Sequence, residues 1–89
     1  MTVSAIVSVT DQPNRSYTAS DTALEAVRFS FNPSALDSVT RIKALSALFI
    51  AECEAGLAKN SIAGREFAVA KTEMQTASMW AVLGATKGL

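Results

Sequence analysis

The chain contains no histidine. That absence removes the commonest general base, every histidine-centred triad and most zinc sites. A single cysteine, Cys53, rules out an intramolecular disulfide and a thiolate cluster. It lies in an apolar helical run, where a buried small hydrophobe is the expected role. Eight basic and eight acidic residues cancel, so no basic surface is available to neutralise a polynucleotide backbone, and polymeric nucleic acid is an unexpected partner. Long hydrophobic runs are missing too. The longest, Ala44 to Ala51, is interrupted by Ser46 and is far short of the ~20 residues of a membrane span, so no membrane partner is expected. The start, "MTVSAIVSVT", lacks the basic residues of a secretory signal, and a cytosolic protein is expected. No phosphate-binding loop, dinucleotide fingerprint or nucleophile elbow occurs.

What is abundant is apolar material. Of 89 residues, 49% are hydrophobic and 18% charged, enough for one domain and too much for a two-helix monomer to hide. Self-association is the expected remedy. "SAIVSVT", residues 4 to 10, alternates and is β-branched, which predicts a strand. "DQPNRSY", residues 11 to 17, is turn chemistry. "AVRFSF", residues 26 to 31, with Val27, Phe29 and Phe31 on one face, predicts a second, antiparallel strand. Between them, residues 18 to 26 are compatible with one helical turn capped by Ser20 or Asp21.

Pro33 closes the second strand, and Ser34, with Asp37 three residues on, is the expected cap of a helix from about Ala35 to Lys59. At 100° per residue, Val39, Ile42, Phe49, Cys53 and Leu57 share its apolar face. Leu45 and Leu48 lie to one side, while Ala47 and Ile50 lie opposite, among Lys43 and Glu54. After loop chemistry at Asn60 and Ser61, a second helix is predicted from about Gly64 to Thr86. Its close-packing seam is Phe67, Ala70, Met74, Ala77, Ala81 and Gly84. The short connection makes the two helices antiparallel. The expectation is an oligomeric α+β fold, one domain over 1–89. Strand and loop occupy 1–33, and a helical hairpin occupies 34–89.

Several residues admit both a binding and a plain reading. Arg65 sits where helix amides and the dipole favour an anion, yet it would equally pair with Glu66 or a carboxylate across a subunit boundary. Arg41 and Lys43 flank Ile42, as a solvated face or as cations around a pyrophosphate. In "RFSFN", residues 28 to 32, Phe29 and Phe31 are strand core or base-stacking rings, with Arg28 and Asn32 beside them. Tyr17, Asn14 and Arg15 form a polar loop able to close over a site. Met79 and Trp80 are expected in the core or an interface. Glu52 and Glu54 point about 200° apart on a helix, and Glu66 with Glu73 has no third ligand, so neither pair suggests catalysis or metal. No cofactor is expected.

"RIKALSALFIAECEAG" followed by "GREFAVAKTEMQTASMWAVLGATK" resembles the helical-hairpin phage sponges, the Thoeris anti-defence proteins of the first type and their relatives directed against CBASS. The resemblance covers residues 39 to 87, most specifically Arg65 through Lys87, with Ala70-Lys71-Thr72 and Met79-Trp80-Ala81 in the matching pattern. Strands followed by "RFSFNPS" are more similar to the Thoeris-directed branch. The resemblance implies a non-enzymatic protein that sequesters cyclic nucleotide immune signals in the cytoplasm of the infected bacterial host. The signals would be cyclic ADP-ribose isomers such as glycocyclic ADP-ribose, held in pockets between subunits of a hexamer or smaller symmetric oligomer. It further implies Arg65 as a ligand residue, with Phe31, Asn32, Arg41 and Lys43 as additional contacts, and Arg28 beside them. The alternatives are a sponge for CBASS cyclic di- or trinucleotides and a structural helical oligomer without a ligand. A third is an enzyme that cleaves such nucleotides.

Overall fold

The computed structural model describes residues 2–59 and 62–88. Two four-residue strands, β1 (Ser4–Val7) and β2 (Arg15–Thr18), pair antiparallel with Ala5 opposite Tyr17 and Ile6 opposite Ser16. A short helix α1 (Asp21–Ala26) leads into two long antiparallel helices, α2 (Asp37–Lys59) and α3 (Gly64–Thr86). Asn60 and Ser61, read from the sequence as loop, lie outside the described residues.

The second strand is therefore "RSYT" and not "AVRFSF". Ser20 adopts an extended conformation, and its hydroxyl accepts from the Ala23 amide at 3.2 Å, which nucleates α1. The amides of Val27, Arg28 and Phe29 then bond back to the Ala23, Glu25 and Leu24 carbonyls. Those donors are used within the chain's own coil, so none is left for a strand ladder. The alternation of Val27, Phe29 and Phe31 is incidental to this turn. Arg15 and Tyr17, read as loop, belong to β2 instead. Tyr17 faces a groove with Leu45, Leu48 and Phe49.

Helix α2 also begins two residues later than expected, because Ala35 has φ +56° and cannot be helical. Ser34 is not its cap. The Ser34 hydroxyl donates to Asn32 Oδ1 at 3.0 Å, and Asn32 Nδ2 donates to the Leu36 carbonyl and to Thr40 Oγ1. Asn32 organises the approach to the helix.

The core comprises Val3, Ala19, Ala23, Val27, Ala47 and Ile50, with Phe29, Leu48 and Met74 packed against it. On α2 the buried residues are Val39, Lys43, Ser46, Ala47, Ile50 and Cys53. Val39 and Cys53 are as expected, but Phe49 and Leu57 stay exposed, and the Lys43–Glu54 side turns inward. On α3, Phe67, Ala70 and Met74 face α2, and the seam continues through Ser78 and Val82. Ala77, Ala81 and Gly84 remain exposed. A step of four after Met74, where three was expected, rotates the seam away from them.

The two helices approach closely at Gly56, where an added Cβ would lie 2.6 Å from Phe67 Cζ. Gly56→Ala is expected to lower stability by about 1–2 kcal/mol. The ring must shift, and this outweighs the roughly 1 kcal/mol gain in helix propensity. Denaturant melts check this.

Glu54 joins three helices. It accepts from Ser20 Oγ at 2.5 Å and Thr22 Oγ1 at 2.8 Å, and pairs with Lys71 Nζ at 3.0 Å. Burial alone would raise its carboxyl pKa, but these hydrogen bonds and the Lys71 charge together hold it below the usual glutamate value. A depressed carboxylate pKa stabilises the fold above the unfolded value of about 4.3 and ceases to do so as pH falls through the folded value. Glu54→Gln should therefore cost about 1–2 kcal/mol at pH 7. The gap from wild type should close towards pH 3, as thermal melts across that range would show.

Candidate functional site

The turn after α1 places Arg28 at φ +52°, a left-handed conformation that a residue with a Cβ adopts only when something holds it. Lys43 holds it. Its ammonium, from the first half of α2, donates to the Arg28 carbonyl at 2.9 Å and to the Phe31 carbonyl. The side chain read as solvated is in fact 6% exposed. Burial, and then the neighbouring Arg28 charge, lower its pKa.

Above this tether stands Phe31, 54% exposed. Arg28 Cζ lies 4.6 Å from its ring centroid and Lys43 Nζ 5.6 Å. An aromatic ring thus gathers two cations. Among the described residues the one ion pair is Lys71–Glu54, so neither cation here has a carboxylate within ion-pairing distance. Two cavities meet at Arg28 and Phe31. One, about 540 Å³, is walled by Asp21, Leu24, Glu25 and Phe29. The other, about 220 Å³, is walled by Lys43, Gln75, Ser78, Met79 and Val82. The first carries two carboxylates, the second none.

Of the residues singled out from sequence, Arg28, Phe31 and Lys43 come together. Asn32 is adjacent but its amide is committed to the start of α2. Arg41 is exposed and, two positions from Lys43, projects about 200° away from it. Arg65 is exposed on the first turn of α3, thirteen residues before Ser78 and hence about 20 Å along the helix from the cluster. Met79 and Trp80 are 72% and 69% exposed within the protomer. With Leu83 and Thr76 they line an apolar hollow on the outer face of α3, so they are not protomer core. Gln75 and Ser78 were missed. Gln75 donates to the Ala26 carbonyl, bracing the same turn from α3. The available signal was a cluster of polar residues, Gln75, Thr76 and Ser78, in a charge-free stretch, 74 to 86. Among the described residues, no group of three or more potential metal ligands and no membrane-spanning helix occurs.

This arrangement supplies a stacking surface and cationic hydrogen-bond donors, the chemistry that receives an anionic aromatic molecule. A family model described as "Acb2/Tad1, hairpin domain" matches residues 22–86, which include α1 from its second residue, the cationic turn and both long helices. No curated protein and no solved structure matches the chain.

Proposed function

The chain belongs to the Acb2/Tad1 hairpin family of phage anti-defence nucleotide sponges, and we propose that it sequesters cyclic ADP-ribose isomers without cleaving them. Acting in the cytoplasm of an infected bacterium, it would thereby silence Thoeris defence. The observation that carries this reading is the Arg28–Phe31–Lys43 cluster, two cations without carboxylate partners on an exposed ring. Phosphates supply the missing negative charge, and a base supplies the face for Phe31. The β1–β2 hairpin ahead of the helices favours the Thoeris-directed branch over the CBASS-directed one.

The working form is a symmetric homo-oligomer, a hexamer, as the exposed Leu45, Phe49, Met79, Trp80 and Leu83 require cover. Within one protomer Arg65 is too distant to join the cluster. In the oligomer Arg65, with Arg41, contributes from a neighbouring subunit.

Calorimetric titration with cyclic ADP-ribose isomers and with cyclic di- and trinucleotides tests the proposal. Chromatography of the ligand released on denaturation completes it. Tight binding of an isomer, recovered intact, is expected. Binding of cyclic oligonucleotides alone would redirect the function to CBASS. A cleaved product would make the protein an enzyme, and no binding would leave a structural oligomer.

A further inference from the structure

Most hydroxyls within the long helices follow one habit. Ser46, Thr72, Thr76 and Thr86 each donate back to the carbonyl four residues earlier. Ser78 does not. Its residue is 5% exposed, yet its hydroxyl has no hydrogen-bond partner among the described residues. Among the described residues no buried side-chain oxygen is fully enclosed without a partner, so this hydroxyl is reached by solvent, and its residue lines the cavity that Lys43 and Arg28 also line. A buried hydroxyl that forgoes the available carbonyl is normally satisfied by something else.

Lys43 is similarly incomplete. An ammonium has three protons, two of which go to the Arg28 and Phe31 carbonyls. The third is uncommitted. The cavity is about 220 Å³, roughly seven waters by volume, enough for a phosphate and part of its sugar but not for a whole dinucleotide. The larger cavity across Phe31 has Asp21 and Glu25 in its wall and repels an anion. Charge therefore sorts the ligand, with its phosphate on the α3 side of Phe31 and its base on the α1 side.

We propose that the α2–α3 cavity receives a phosphate of the bound nucleotide, and that Ser78 is a binding residue there, hydrogen-bonding a non-bridging oxygen beside the free Lys43 proton. The inference rests on the nucleotide-binding reading above but is separable from it. Threonine and valine have nearly one shape and differ by the hydroxyl, so Ser78→Thr and Ser78→Val form the decisive pair, with Ser78→Ala as a smaller variant should valine disturb folding. Calorimetry on folded variants of unchanged oligomeric size is read against the same nucleotides. Ser78→Thr is expected to bind within about threefold of wild type. Ser78→Val should weaken binding about tenfold or more, and Ser78→Ala about three- to tenfold. Equal affinity of the threonine and valine variants, or an unaltered alanine variant, overturns the assignment while leaving the nucleotide reading intact. If wild type takes none of the nucleotides, that reading fails, and inorganic pyrophosphate becomes the probe. Pyrophosphate binding that valine weakens and threonine keeps would support the cavity assignment, whereas no pyrophosphate binding, or none dependent on the hydroxyl, would overturn it.

Discussion

Lys43→Met is expected to weaken nucleotide binding by tenfold or more and to cost about 1–3 kcal/mol of stability. The binding loss reflects one charge-assisted hydrogen bond, about 1.5–3 kcal/mol, together with slackening of the turn that carries Phe31. The stability loss comes from the Phe31 carbonyl, which loses its Lys43 donor, and from the Arg28 carbonyl, which is left with the Phe31 amide alone. It is moderated by relief of the desolvation that lowers the lysine's pKa. That lowering separates the two effects in pH. Below the folded pKa the buried charge bears its full desolvation penalty. Between the folded and unfolded values the unfolded chain holds more protons, so stability rises with pH in this window. A neutral amine still donates two hydrogen bonds and can keep both carbonyls, but it no longer attracts a phosphate. Affinity should therefore fall on the alkaline side, beginning below the ordinary lysine range, while the fold holds. Calorimetry and melts across that range check both signs. An affinity that is flat with pH in wild type would remove the lysine charge from binding.

Trp80→Glu is expected to break the oligomer while leaving the protomer folded. Trp80 is 69% exposed and its neighbours Met79 and Leu83 are 72% and 56% exposed, on a stretch from 74 to 86 with no charged residue. A helix apolar on its outer side as well as its inner side needs a second partner. Buried tryptophans are typical interface anchors, worth about 2–4 kcal/mol on truncation. A carboxylate in that place should raise the dissociation constant by a hundredfold or more. Light scattering at micromolar concentration should show wild type well above the 9.4 kDa of one chain and the variant shifted towards it. Circular dichroism should be unchanged in helix content, because this ring is mostly exposed on the outer face of α3. A wild-type monomer, or a variant of wild-type size, would count against this face as the subunit boundary.

Read from the residues alone, the chain already declares an α+β domain with a strand starting at residue 4 and two long antiparallel helices. These follow from local physics. Helical period acts within a turn or two, so the α3 limits, Gly64 and Thr86, emerge from sequence as they stand in the structure, although no side chain caps its start. The Ser20 cap and the helical turn it starts were likewise available, although the alternation after it suggested a strand. The absence of histidine and the balanced charge narrowed the chemistry for the same reason: composition does not depend on folding.

Which side of each helix faces inward was decided only by packing. Lys43 and Glu54 mark a solvated face when the helix is considered alone. Lys43 is buried and Glu54 half-buried because α1 and α3 close on that side and bring their partners, two carbonyls for Lys43 and Ser20, Thr22 and Lys71 for Glu54. A buried charge is tolerable only with such partners, and every one except Arg28 and Phe31 lies more than 15 residues away. The site obeys the same rule. Arg28 and Phe31 meet Lys43 across a turn with a left-handed residue, and Ser78 reaches them from 35 positions beyond Lys43. No periodicity encodes that meeting. It arises because α3 returns antiparallel along α2 and sets the charge-free half of one helix against the cationic start of the other.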